Sequence, residues 1–252
     1  MRDRPLLVYL AGAAPEPVAA RHGQFAHWFR ELASSRPVAV QTRNGPGGER
    51  PPGASEVAGI VITGSPASLT APEPWMEESI ALVRAAAEVG TPVLGVCFGH
   101  QIIGAAFGAG VVRNSAGWEM GTHEVQLTDA GQADPLFEGI ASPFAANFSH
   151  QDVVAPETVS PGNHLSILAR NQRAGAQALA AGDAIRGVQF HPEFSGAIVR
   201  DYVRVRWDAL AADAAERGAD ADAPERLLEG ARDCPDAQRV FERFVDHFVL
   251  RS

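Results

Sequence analysis

The 252-residue chain begins with short apolar runs separated by segments of helical spacing. Leu6–Ala11 reads as a strand ending at Gly12, and Val18–Ser34 carries Phe25, Trp28, Phe29 and Leu32 on one helical face. Pro37–Thr42 is a second strand, and Asn44–Pro52 is loop from its Gly and Pro content. Val57–Thr63 is a third strand. Pro74–Val89 is a helix with proline at its start and Trp75, Ile80, Val83 and Ala87 turned inward. Pro92–Val96 is a buried strand, followed by a helix over Gln101–Phe107. This alternation predicts an α/β fold, a mostly parallel sheet with helices on both faces.

Beyond Gly110 the rhythm changes. Thr122–Leu127 alternates as a half-exposed antiparallel strand does, and Asp134–Phe137 is a short helical turn. Phe144–Val154, Leu165–Arg170, Ala176–Ala180 and Ile185–Phe190 are further strands. A helix from Gly196 to Arg217, a polar linker over Gly218–Ala223, and helices over Pro224–Arg232 and Pro235–Leu250 finish the chain. The reading divides it into residues 1–195 and a helical C-terminal extension, 196–252, whose stripe of Leu227, Leu228, Val240, Phe241, Phe244, Val245 and Phe248 predicts packing on the same domain.

Composition narrows the function. No uninterrupted apolar run of about 18 residues is present. The residues after Met1 lack the apolar core of a signal peptide, and Cys97 and Cys234 make no disulfide framework. The expectation is a cytoplasmic protein without membrane contact. A formal charge of −9 argues against nucleic acid. All 21 basic residues are arginine, which excludes lysine-based Schiff-base or P-loop chemistry.

The candidate chemistry centres on Gly95-Val96-Cys97-Phe98-Gly99, a cysteine form of the nucleophile elbow between strand and helix. Its glycines are expected to allow a strained turn at Cys97, and a helix N-terminus behind a cysteine favours the thiolate. Phe190-His191-Pro192-Glu193 supplies a base and an orienting carboxylate, two residues apart at a strand end. Thr63-Gly64-Ser65-Pro66 ends another strand. In parallel sheets ligands bind at the carboxyl ends of the strands, where all three segments fall. His22, His27, His123, His164 and His247 show no ligand spacing and read as structural or surface residues; Cys234 reads as a structural thiol.

Gly-Val-Cys-Phe-Gly-His-Gln, Phe-His-Pro-Glu and Thr-Gly-Ser-Pro-Ala-Ser, in this order, resemble the motifs of class I glutamine amidotransferases. Ser149-His150-Gln151-Asp152 is similar to the Ser-His-x-Asp loop of the glutaminase domain of GMP synthase and its free-standing relatives. The resemblance covers about residues 5–195 and implies the flavodoxin-like architecture of that family. It also implies a Cys97–His191–Glu193 triad that hydrolyses the glutamine side-chain amide through a γ-glutamyl thioester, with no metal or cofactor. Backbone amides of Ser65 and Phe98 would form the oxyanion hole, and Gly64, Gln101, Ser149 and His150 would hold the substrate. Many relatives have glycine where this chain has Ser65. Ammonia would pass to a separate synthetase, because the chain has no P-loop or Ser-Gly-Gly motif of its own. Two other functions are consistent with the motifs: a γ-glutamyl peptide hydrolase acting alone, and a non-catalytic regulatory or binding module.

Overall fold

A computed structural model describes residues 4–220 and 222–251. The segment Met1–Asp3 and the linker residue Ala221 lie outside the described residues. In chain order the elements are β1 (Leu6–Leu10), α1 (Glu16–His22), α2 (Phe25–Ala33), β2 (Val40–Asn44), β3 (Gly59–Ile62), α3 (Pro74–Val89), β4 (Val93–Val96) and α4 (Phe98–Ala106). Then come β5 (Val111–Arg113), β6 (Glu119–Leu127), α5 (Asp129–Ala133), β7 (Phe144–His150), β8 (Asp152–Val154), β9 (Leu165–Arg170), β10 (Ala178–Ala181) and β11 (Ile185–Val188). Helices α6 (Gly196–Val205), α7 (Trp207–Glu216), α8 (Ala223–Gly230) and α9 (Pro235–Phe244) follow, with a π-helical turn over Val245–Val249.

Among the described residues, nine strands form one sheet in the order β2-β1-β3-β4-β11-β10-β9-β6-β7, and β5 pairs with β8. The contacts β2–β1–β3–β4–β11 are parallel, and those from β11 to β7 are antiparallel. Alternate residues of the parallel strands serve opposite faces. Leu6, Val8, Val61, Leu94 and Val96 join a cluster with Val18, Phe25 and Phe29 from α1 and α2, and with Val199, Val240 and Phe241. Leu7, Tyr9, Ile60, Ile62 and Val93 join a second cluster with Met76, Leu82 and Val83 of α3 and Ile102 of α4. The C-terminal helices therefore lie on one face, continuous with the core under α1 and α2.

Several sequence expectations need correction. The helix expected over Val18–Ser34 is two helices, because Gly23 takes φ +80° and turns the chain between them. Pro37 lies outside β2, which runs Val40–Asn44. The buried face of α3 is Met76, Ser79, Leu82, Val83 and Ala86; Trp75, Ile80 and Ala87 flank it half-buried. Phe144–Val154 divides at Gln151, with β7 in the large sheet and β8 beside β5. The helix after the elbow starts at Phe98, three residues earlier than expected. The helix expected from Gly196 to Arg217 breaks at Arg206 (φ −103°, ψ 12°), where the chain leaves α-helical geometry for one residue.

Candidate active site

Strand order assembles the site. β3, β4 and β11 are adjacent and parallel, with Ile62 opposite Gly95 and Val188 opposite Val96. The segments leaving their carboxyl ends, Thr63–Ser65, Cys97 and Gln189–Glu193, consequently lie side by side. The elbow is strained at its centre: Cys97 has φ 53° and ψ −98°, a combination costly for a residue with a Cβ. Its glycines contribute space. A Cβ on Gly95 would stand 2.3 Å from the Gly99 carbonyl oxygen, and one on Gly99 would stand 2.2 Å from the Ile62 carbonyl oxygen. Neither glycine has a positive φ. The motif packs α4 against β3 and β4 and confines the unusual dihedral to the cysteine.

His191 is buried, and its Nδ1–H donates to Glu193 Oε1 at 2.7 Å. The ring stacks on Phe194, with centroids 3.9 Å apart and planes 5° from parallel. Its backbone N–H donates to the Asn147 carbonyl at 2.8 Å. Orientation and tautomer are thus fixed, which leaves Nε2 for Cys97. Burial disfavours the imidazolium, but the charges and hydrogen bonds of Glu193 and Cys97 outweigh it and push the pKa of His191 up to about 10.

The third strand end supplies contact without bulk. A Cβ on Gly64 would lie 2.8 Å from His191 Cε1 and 3.7 Å from Cys97 Cβ, so any side chain there would strike the imidazole. Ser65, the departure from glycine, has no positive φ, and its Oγ accepts from the Ala67 N–H at 3.1 Å. Serine therefore fits without strain. Phe98 is the first residue of α4, whose opening amides have no intrahelical partner.

Cys97 Sγ lies 3.9 Å from the Ser149 carbonyl oxygen. Gln101 donates through Nε2 to the Asp152 carbonyl at 2.8 Å and to Gln189 Oε1 at 3.3 Å. His150 is buried, with Nδ1 against the Asp152 carbonyl and Nε2 3.0 Å from Glu119 Oε2. Two cavities meet at Cys97. One, of about 120 Å³, runs along Ser65, Phe98, Gln101, Trp118, Ser149 and Asp152. The other, of about 20 Å³, reaches Ala13, Pro15, His191 and Tyr202. A larger hollow of about 660 Å³ beside Thr122, Arg170 and Arg232 holds no nucleophile and is separate from this cluster.

All nine sequence-predicted site residues thus converge on one strand edge. Sequence reasoning missed Glu119 and Arg206. Glu119 is fully buried; desolvation opposes its charge, but His150, Asn171 and Gln177 overcome that and hold its carboxyl below the usual range. An acidic residue between Trp118 and Met120 was the available signal, since a carboxylate in an apolar setting needs partners. Among the described residues no group of three or more His, Cys, Asp or Glu is placed to hold a metal ion, and no helix is long and apolar enough to cross a membrane. Cys234 is buried away from this edge, and burial pushes its thiol up to about 11.

A cysteine on a strained strand-to-helix turn, facing a histidine held by a carboxylate, is an arrangement that suits nucleophilic chemistry on an α/β sheet. The family model for glutamine amidotransferase class-I matches residues 26–201. The chain belongs to the class I glutamine amidotransferase family. It is 33% identical over 175 residues to a GMP synthase [glutamine-hydrolyzing] of Aeropyrum pernix, an alignment covering 68% of this chain and 31% of the relative. It is 38% identical over 116 residues to anthranilate synthase component 2 of Mycobacterium tuberculosis, covering 46% and 47%. These alignments span less than two thirds of either relative. A glutamine amidotransferase structure from Methylobacillus flagellatus matches with a TM-score of 0.76 at 20% identity, over 96% of this chain and 94% of that one. One from Thermotoga maritima matches at 0.74 and 17% identity, over 98% and 99%. These likenesses extend the shared fold through the C-terminal helices.

Proposed function

We propose that the chain hydrolyses the side-chain amide of glutamine to glutamate and ammonia, with Cys97 as nucleophile, His191 as acid and base, and Glu193 as its orienting partner. The observation that carries this reading is the Cys97 elbow facing a buried His191 held at 2.7 Å by Glu193. The Cys97 thiolate attacks the amide carbon. The resulting oxyanion meets the backbone N–H groups of Ser65 and Phe98, and each such donor is worth about 10²–10³ in rate. The His191 imidazolium protonates the departing nitrogen, because amide ion is too basic to leave. The C–N bond breaks, ammonia departs and a γ-glutamyl thioester remains on Cys97.

Acylation removes the thiolate charge that helps raise His191, so its pKa falls and the imidazole stays in the neutral form that the next step needs. It takes a proton from water, hydroxide adds to the thioester, and glutamate leaves as the Cys97 thiolate and His191 imidazolium reform. Gln101 and the Ser149–His150 backbone line the larger cavity and suit the α-amino and α-carboxyl groups of the substrate. The ammonia acceptor is a separate synthetase, as the names of the GMP synthase and anthranilate synthase relatives suggest.

A second reading is a γ-glutamyl peptide as substrate, since its scissile amide is chemically the same as that of glutamine; the second cavity at Cys97, toward Ala13 and Tyr202, is about 20 Å³, room for ammonia rather than for an amino acid. The test is glutamate and amine release from glutamine and from γ-glutamyl dipeptides, measured side by side. Glutamine turnover that exceeds dipeptide cleavage and disappears in Cys97→Ala is expected. Dipeptide cleavage well above glutamine turnover would replace the amidotransferase reading with a peptidase. No turnover of either, with Cys97 reduced, would leave a binding module.

A further inference from the structure

Arg206 occupies the break between α6 and α7 and lines both cavities that meet at Cys97. Its guanidinium lies 4.8 Å from the ring centroid of Trp118 and 6.0 Å from that of Tyr202, so two aromatic rings hold it in place. No carboxylate pairs with it among the described residues, and its Nε is buried without a hydrogen-bond partner. Arg113, the other arginine at the larger cavity, is already engaged with Asp152 and Gln151.

A half-buried guanidinium whose buried Nε has no partner carries a desolvation cost that an anion in the cavity it lines would offset. Its planar fork matches a carboxylate better than any other small anion a γ-glutamyl compound offers. We infer that Arg206 is a further carboxylate-recognising residue of this site, adding a charged contact to the Ser149–His150 backbone and holding a substrate carboxylate at the cavity wall contributed by the C-terminal helices. The carboxylate is either the α-carboxylate of the glutamyl unit or, in a peptide, that of the departing residue. In both cases Arg206 binds and positions substrate and takes no part in proton transfer. This inference rests on the proposed function for its biological substrate. Carboxylate recognition beside Cys97 can nonetheless be measured without turnover.

The experiment compares alkylation of Cys97 by iodoacetate and by the neutral iodoacetamide, followed by peptide mass mapping, in the wild-type chain, Arg206→Met and Arg206→Lys. The ratio of the two rates cancels any change in thiolate reactivity and isolates recognition of the carboxylate. A charge-assisted contact predicts that Arg206→Met lowers the iodoacetate-to-iodoacetamide ratio about 10- to 100-fold, while Arg206→Lys retains most of it. If Arg206→Met does not fold, Arg206→Gln gives the same comparison with a polar side chain of lower charge. In parallel, kcat/KM falls by a similar factor. Equal losses for glutamine and γ-glutamylglycine assign the α-carboxylate, whereas a loss confined to γ-glutamylglycine assigns the leaving residue. An unchanged alkylation ratio in a folded neutral variant overturns the inference. A wild-type chain that turns over no γ-glutamyl compound sinks the proposed function, and the alkylation ratio still decides the role of Arg206.

Discussion

Three local constraints bear on His191: the Glu193 carboxylate at Nδ1, the Phe194 ring against its face, and the absence of a side chain at Gly64. Each fixes a different degree of freedom, respectively the tautomer, the plane and the approach to Cys97. With its pKa near 10, His191 stays protonated across neutral pH and loses its proton as pH rises through that value. The account therefore predicts a kcat/KM for glutamine that holds through mildly alkaline pH and falls toward pH 10. Glu193→Gln keeps an acceptor at Nδ1 but removes the charge, so the alkaline limb should move to lower pH. Its rate should fall about 10²–10⁴-fold. A pH profile that keeps its alkaline limb in Glu193→Gln would show that Glu193 does not set the protonation of His191.

At the scale of elements, the site depends on the contact of α4 with β3 and β4. Gly99 is the tightest point, with the Ile62 carbonyl oxygen where a Cβ would go. Gly99→Ala must push α4 from β3 and draw the Thr63–Ser65 segment away from Cys97. Overpacking of this kind costs about 1–3 kcal/mol. Urea unfolding should show at least that loss, and glutamine turnover in the folded fraction should fall further. Retained stability and turnover would contradict this packing. Much of this region was legible in sequence because short-range rules govern it: Gly-x-Cys-x-Gly between strand and helix, proline at the start of α3, and His and Glu two apart at a strand end. The breaks at Gly23 and Arg206 were not legible. A glycine inside a periodic pattern does not reveal its φ, and Arg206 interrupts a helical pattern with no proline or glycine to mark it. The inward face of α3 was read in part: Val83 is fully buried and Trp75, Ile80 and Ala87 pack half-buried against the core, while Met76 and Leu82, on the same buried face, were not picked out.

At the scale of the molecule, the sheet divides the labour. Its parallel part sets three strand ends beside one another, and its antiparallel part carries Ser149, His150 and Glu119 to the same edge. The C-terminal helices complete the wall: α6 supplies Tyr202, which packs on Phe194 behind His191, and Arg206 follows at its end. The apolar stripe of these helices predicted that they pack on something, and Val240, Phe241 and Phe244 join the core on one face of the sheet, but which cavity they close is a long-range property that no local pattern encodes. The central claim is covalent: a γ-glutamyl group resides on Cys97 between two half-reactions. Acid quenching of the wild-type chain during incubation with saturating glutamine, followed by peptide mass mapping, tests it most directly, because acid halts hydrolysis and preserves the thioester. The account predicts a γ-glutamyl adduct on the peptide containing Cys97, none on Cys234, and no glutamate from Cys97→Ala. Glutamate formed by Cys97→Ala at the wild-type rate would contradict it.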